Sequence, residues 1–318
     1  MMLDTLQSII PTVLFYSAPL MLTALGGVFS ERSGVVNIGL EGLMVMGAFI
    51  GIVFNLTFSD VLGSWTPWIS IVVAAIIGAI FSIIHAVASV SFNANQVVSG
   101  VAINMLALGI GVYLTKVLYN KGQTDMVNNP FYTTDIPVLS DIPIIGPLFF
   151  EGNYITSYIA IILAFVSWYV LYRTPFGLRL RAVGEHPLAA DTNGIKVARM
   201  RYIAVILSGA FGGLGGSVFA LTIVSNFSHS TIAGQGFISL AAVIFGKWHP
   251  LGAMGAALFF GLAQSLSVVS AGVPLLENIP QVFLLIAPYV LTILALAGFI
   301  GRAEAPQANG EPYIKGNR

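Results

Sequence analysis

The sequence predicts an all-α polytopic membrane protein with about nine transmembrane helices, within a range of eight to ten, one of them broken or re-entrant. Three observations carry this. Of 318 residues, 57% are hydrophobic and only 8% charged, where soluble domains carry about a quarter charged residues. Apolar stretches of the roughly 20 residues that a bilayer core requires recur along the whole chain. These runs are continuous and do not alternate in short segments, which excludes a closed barrel. The chain has no cysteine, which removes disulfides, thiolate catalysis and cysteine-ligated metal. Its formal net charge of +0 gives no reason to expect a nucleic-acid partner.

In chain order the expected spans are residues 8–29, 38–57, 67–90, 96–118, 154–172, 202–225, 232–247, 250–271 and 281–300. No Lys or Arg precedes Arg32, so the first span lacks the positive region of a signal peptide and is read as retained. The seventh span is short and opens with polar, glycine-containing sequence (Thr231, Gly234, Gln235, Gly236), the pattern of a broken or re-entrant helix. The basic residues set the orientation. With 173–201 inside, every Lys and Arg except Lys116 and Lys121 falls on the cytosolic side. The N-terminus is then expected outside and the C-terminus in the cytosol. The proline-rich, acidic stretch 121–153 reads as an ordered extracytoplasmic cap, and the polar tail 302–318 as disordered. Residues 1–301 form the permease domain.

The cytosolic loop 173–202, "RTPFGLRLRAVGEHPLAADTNGIKVARMRY", carries the most information. Pro187 suits the first position of a helix, and Asn193-Gly194 suits a left-handed stop. A helix of one to two turns over 187–192 follows. It is small and apolar on one side, so it must rest on the protein's own surface or fit a groove on another protein.

"VGEHPLAADTNGI" resembles the coupling-loop motif of ABC importer permeases, in the branch serving simple sugars, branched-chain amino acids and nucleosides. "ERSGVVNIGLEGLM" (31–44), "NANQVVSGVAINMLA" (93–107) and "GQGFISLAAVIFGKWHPLGA" (234–253) point the same way, in the family's order. Together they look like the second of the paired permeases of nucleoside importers that use a basic-membrane-protein-type binding lipoprotein. The resemblance spans residues 10 to 300. It implies a second homologous permease, a cytosolic ATPase with two nucleotide-binding halves that holds the ATP and Mg, and an external binding lipoprotein. It further implies a bacterial plasma membrane and a coupling contact made by Gly184, Glu185, Pro187, Ala189, Ala190, Gly194 and Ile195. Leu188 matches loosely, and His186 sits where the family varies. The chain has no P-loop of its own, and no cofactor is expected on it.

Three polar stretches are candidates for the pathway or its gate. Asn37 and Glu41 are spaced to share a helix face. Glu41 has three readings: a partner for Arg32 at the cytosolic interface, a first-turn acid satisfied by its helix N-terminus, or a gate or substrate contact. Its expected place at the cytosolic turn favours the inner gate over substrate. Asn95, Gln96 and the deeper Asn104 open the fourth span, where amides suit a nucleoside or a sugar equally. In "SNFSHSTIAGQG" (225–236), Gln235 with Phe227 and the following Phe237 is placed for a transport site at a broken helix. His85 and His229 read as hydrogen-bond partners, and "FGGLGG" (211–216) as helix-packing sequence. A secondary transporter would need coupling-ion groups, and acids or pairs within the spans are nearly absent; a membrane enzyme would need a cluster of catalytic side chains, which the sequence lacks. A purely structural subunit would leave the loop helix unexplained.

Overall fold

The computed structural model describes residues 2–143, 145–269, 282, 283, 286, 290 and 304–315. It is helical, and the only strand-like pairings among the described residues are two isolated bridges, Gln123 with Ser228 and Thr134 with Asn153. Among the described residues, five segments are long and apolar enough to cross a membrane: Ile9–Arg32, Leu40–Ser91, Gln96–Tyr119, Ile155–Arg173 and Val197–Val224. The second holds 52 residues. It turns back at Gly63, whose φ of +52° ends α2 (Leu40–Leu62), and α3 (Thr66–Ala86) then packs along α2. The expected ninth span, 281–300, lies almost wholly outside the described residues.

The bundle is organised around α9 (Val197–Phe219), against which α1 (Met2–Arg32), α2 and α3 all pack. Lipid is as apolar as a leucine side chain, so close backbone approach takes the place of the hydrophobic effect between helices. The sequence provides this as Gly212, Gly213, Gly215 and Gly216, a patch that meets three helices at once. A Cβ on Gly213 would strike the Ala74 carbonyl of α3, one on Gly216 the Met44 carbonyl of α2, and one on Gly215 the Thr23 side chain of α1. The packing expected of "FGGLGG" is what the structure has.

α4 (Gln96–Tyr119) differs. Only one narrow face, along Gly100, Ile103, Ala107, Gly111 and Thr115, is buried, while Val98, Met105, Tyr113 and Val117 are exposed. Asn95 caps this helix by accepting from the Val97 and Val98 N–H groups at 3.0 and 3.1 Å. The stretch 121–153 is an ordered cap that includes α5 (Ile145–Phe149). The Thr124, Val127 and Phe131 N–H groups donate to the Phe227, Ser225 and Leu221 carbonyls, and Phe131 meets Trp68 edge-on at 4.9 Å.

At the opposite, basic end, α6 (Ile155–Arg173) leads into α7 (Pro175–Glu185) and α8 (Pro187–Thr192). Thr174 caps α7 through the Gly177 N–H at 3.2 Å, and Pro175 takes its first turn. That cap and proline were readable in the sequence, although α7 was not anticipated. α8 has the expected bounds. In the region of the expected seventh span, α10 (Gln235–Phe245) has 11 residues and follows the turns 225–234; α11 (Pro250–Val269) packs beside it.

The tail departs from expectation. Residues 304–315 are not unstructured but lie against the basic end, with Pro306 and Ala308 buried. They hydrogen-bond to Gly34, Gly184, Glu185 and Arg201.

Candidate functional site

After α1 ends at Arg32, the chain does not begin a new helix at once. Residues 33–39 run back into the bundle without helical structure, and α2 starts only at Leu40. Non-helical backbone at depth must find partners within the protein, and here side chains of neighbouring helices supply several of them. The Val35 N–H donates to the Ser30 carbonyl, and the Val35 carbonyl accepts from Ser30 Oγ at 2.7 Å. The Val36 N–H donates to Gln96 Oε1 at 2.7 Å. His85 Nε2 lies 3.1 Å from the Val36 carbonyl and Nδ1 2.9 Å from Ser99 Oγ. A carbonyl only accepts, so Nε2 carries a proton and the ring bridges Val36 and Ser99. Asn104 closes the segment: its Nδ2 donates to the Ile38 carbonyl at 3.0 Å, and its Oδ1 accepts from the Gly42 N–H at 2.7 Å.

This corrects the expected position of Glu41. Asn104 stands about 12 Å from the start of α4, a helix about 36 Å long at 1.5 Å per residue, and Gly42 is bonded to it. Glu41 therefore lies about a third of the way through the bundle, not at the turn joining the first two spans. The reading of Glu41 as a partner for Arg32 does not hold. Arg32 pairs with Glu185 at 3.7 Å and donates to the Trp248 carbonyl at 2.8 Å. The carboxylate in that corner is Glu31, buried and bonded by Trp248 Nε1.

Glu41 instead faces the start of α10. Gly234 N–H donates to its Oε1 at 2.5 Å and Gly236 N–H to its Oε2 at 2.6 Å. Gly234 has φ +101°, a conformation costly to other residues, and a Cβ on Gly236 would collide with the Glu41 backbone. The starts of α2 and α10 thus meet at one carboxylate. It stands in the first turn of α2 and satisfies the free N–H groups of α10, where the helix dipole favours a negative charge. This is the first-turn reading with one change: the helix end satisfied belongs to the neighbour.

The eight pathway candidates separate accordingly. Glu41, Asn104, Gln235 and Phe237 gather around this junction, each with its side chain partly open, Phe237 being 49% exposed. Asn37 does not share a helix face with Glu41, because it precedes α2; it is buried behind, donating to Ser208 Oγ at 2.9 Å. Asn95 is a helix cap, and Gln96 is buried on Val36. Phe227 is 1% exposed, edge-on to Phe49 at 5.2 Å, and has no free face for a base. Among the described residues no group of His, Asp and Glu is arranged to hold a metal ion.

At the basic end, α8 stands clear of the bundle. Leu188 is 52% exposed and Ala189 is exposed beside it, whereas Ala190 and Gly184 are buried. Gly194, with φ +80°, ends α8, its N–H donating to the Asp191 carbonyl at 2.9 Å. Ile195 N–H donates to the Ala190 carbonyl at 3.0 Å, closing the turn. Pro187, Leu188 and Ala189 form the presented surface, while Gly184, Ala190 and Ile195 seat it. Leu188, only a loose match in sequence, is the largest apolar group offered there. Glu185 pairs with Arg32 at 3.7 Å and lines a groove beside Pro187 and Leu188.

The described residues thus form a helical bundle with apolar segments long enough to cross a membrane, α2 and α10 meeting at one carboxylate and a short helix presented outside. Residues 9–296 match the family model described as "Branched-chain amino acid transport system / permease component". The chain belongs to that family and is a permease subunit of an ABC importer. It is 64% identical over 313 residues to "Guanosine ABC transporter permease protein NupQ" of Bacillus subtilis (strain 168), covering 98% of each chain. It is 53% identical over 312 residues to "Nucleoside ABC transporter permease protein NupC" of Lactococcus lactis subsp. cremoris (strain MG1363), again covering 98% of each. A second Bacillus subtilis protein, "Guanosine ABC transporter permease protein NupP", is 23% identical over 302 residues, 92% of this chain and 83% of that one.

Proposed function

We propose that this permease carries nucleosides. The observation that carries the reading is the junction of α2 and α10 at Glu41, where the partly open Asn104 and Gln235 keep hydrogen-bonding capacity beyond their bonds to Ile38, Gly42 and Ala233, and Phe237 leaves an aromatic face exposed. Amides present both donors and acceptors to a neutral polar solute, and an aromatic face suits a base. The names of two relatives that align over nearly the full length, guanosine and nucleoside permeases, favour nucleosides over simple sugars.

Nine crossings, with α10 as an interrupted one and the C-terminus in the cytosol, fit the basic end carrying α7, α8 and Lys247. The exposed face of α4 and the open side of the junction await a second, homologous permease. Two unlike guanosine permeases in Bacillus subtilis support a heterodimer. α8 seats in a cytosolic ATPase with two nucleotide-binding halves, where ATP and Mg reside, and an external lipoprotein delivers substrate. The ATPase drives transport by binding one access state more tightly than the other. The membrane is a bacterial plasma membrane.

Uptake of labelled guanosine by the complete importer, expressed in cells lacking other nucleoside uptake, tests the substrate. Competition by unlabelled nucleosides and none by ribose or glucose is expected. Competition by the sugars alone rejects the nucleoside reading.

A further inference from the structure

We propose that residues 306–311 form a strap that ties the coupling element α7–α8 to the re-entrant segment leading to Glu41. The proposal rests on the reading of α8 as the ATPase contact. On one side the strap holds the end of α7: the Ala308 N–H donates to the Gly184 carbonyl at 2.9 Å, and the Gln307 N–H to Glu185 Oε2 at 3.3 Å. On the other it holds the end of α1 and the start of the re-entrant segment. The Gly310 N–H donates to the Gly34 carbonyl at 3.2 Å, and Asn309 Nδ2 to Glu31 Oε2 at 3.3 Å. A third anchor is Arg201 of α9, whose Nη1 donates to the Glu311 carbonyl at 2.9 Å.

Most of these contacts use main-chain groups, so the strap is held by its path more than by its side chains. The path is narrow. Ala308 is 5% exposed, and a Cβ on Gly34 would come to 3.0 Å from its carbonyl oxygen. Gly184 in turn lies directly on the Arg32 main chain. A displacement of α7 is therefore passed to residues 31–34 both directly and through the strap. From there the chain continues through Asn37, on Ser208, to Glu41 on α10. The strap also walls one side of the presented helix. A groove of about 390 Å³ is bounded by Pro187, Leu188 and Ala189 on one side and by Gln307, Ala308 and Glu311 on the other. A plug that merely covered the basic end would need none of these bonds to join two separate elements. A strap needs both sets.

The test uses the complete importer, both permeases with ATPase and binding protein, in proteoliposomes with ATP hydrolysis and uptake measured together. Removing residues 304–318 should leave the ATPase bound and hydrolysis within about twofold, while substrate moved per ATP falls by about tenfold or more. An unchanged ratio overturns the strap. Loss of the ATPase from the complex also overturns it, since the tail would then be a docking surface. Gly194→Pro, run in parallel, separates the two ideas: normal coupling in that variant overturns the reading of α8 itself. If the shortened chain does not reach the membrane, labelling decides. The chain has no cysteine, so Ala308→Cys and Ile314→Cys can be compared directly in inside-out vesicles. A water-soluble maleimide should label Ala308→Cys at least about tenfold more slowly, as expected for a group shielded by packing. Equal rates overturn the strap.

Discussion

Glu41 spends both carboxylate oxygens on the N–H groups of a helix to which it does not belong. Glutamine has one acceptor oxygen and a donor amide, so Glu41→Gln sets an NH₂ group against one of the two glycine N–H groups. An unpaired buried donor costs about 1–3 kcal/mol, and the charge–dipole attraction at the start of α10 is lost as well. Glu41→Gln is expected to insert normally and to lower uptake by about tenfold or more, which corresponds to about 1.4 kcal/mol. Unchanged uptake would show that the junction tolerates a single bond. The sequence offers Glu41 as a gate candidate, with a first-turn acid as one of its three readings. It could not show that the helix end served is that of α10, because residues 41 and 234–236 meet only through the fold. Phe227 failed for the same reason: an aromatic beside a broken helix reads alike whether it faces a base or, as here, Phe49.

Short elements with strong local signals were legible. Pro187 and Asn193-Gly194 specify α8 from within their own stretch, and the structure has it over Pro187–Thr192. Gly194 is required there twice, by φ +80° and by its N–H bond to Asp191. Proline can provide neither. Gly194→Pro should therefore leave insertion intact but lower substrate moved per ATP by about tenfold, measured in the reconstituted importer. The segment 33–39 was less legible. Its apolar residues extend the hydropathy of the following span, and only the bonds from Gln96, His85 and Asn104 hold it out of a helix. The tail was misread because its polar, Pro- and Gly-containing composition has no core to bury, yet its main chain bonds to groups that other elements present.

At the scale of the whole molecule, the α9 glycines set how closely four helices approach. Gly213→Leu would press its side chain into the main chain of α3 at Ala74 and Gly78, an obstacle that repacking of side chains cannot relieve. The cost should exceed the about 1–3 kcal/mol of ordinary overpacking. Little monodisperse protein is expected on size-exclusion chromatography in detergent, whereas Gly109→Leu, with open space around it, should behave as wild type. Composition alone determined that this chain is a helical membrane protein, because burying so much apolar surface with so few charges leaves a bilayer as its solvent. Local patterns determined α8, its proline start and its glycine stop. Only the tertiary structure decided that Glu41 lies within the bundle on α10, that Arg32 pairs with Glu185, and that the tail joins α7 to α1. The physical reason is common to all three: each is a pairing of polar groups far apart in the chain. Periodicity and turn chemistry are blind to which distant donor a carboxylate or carbonyl will meet.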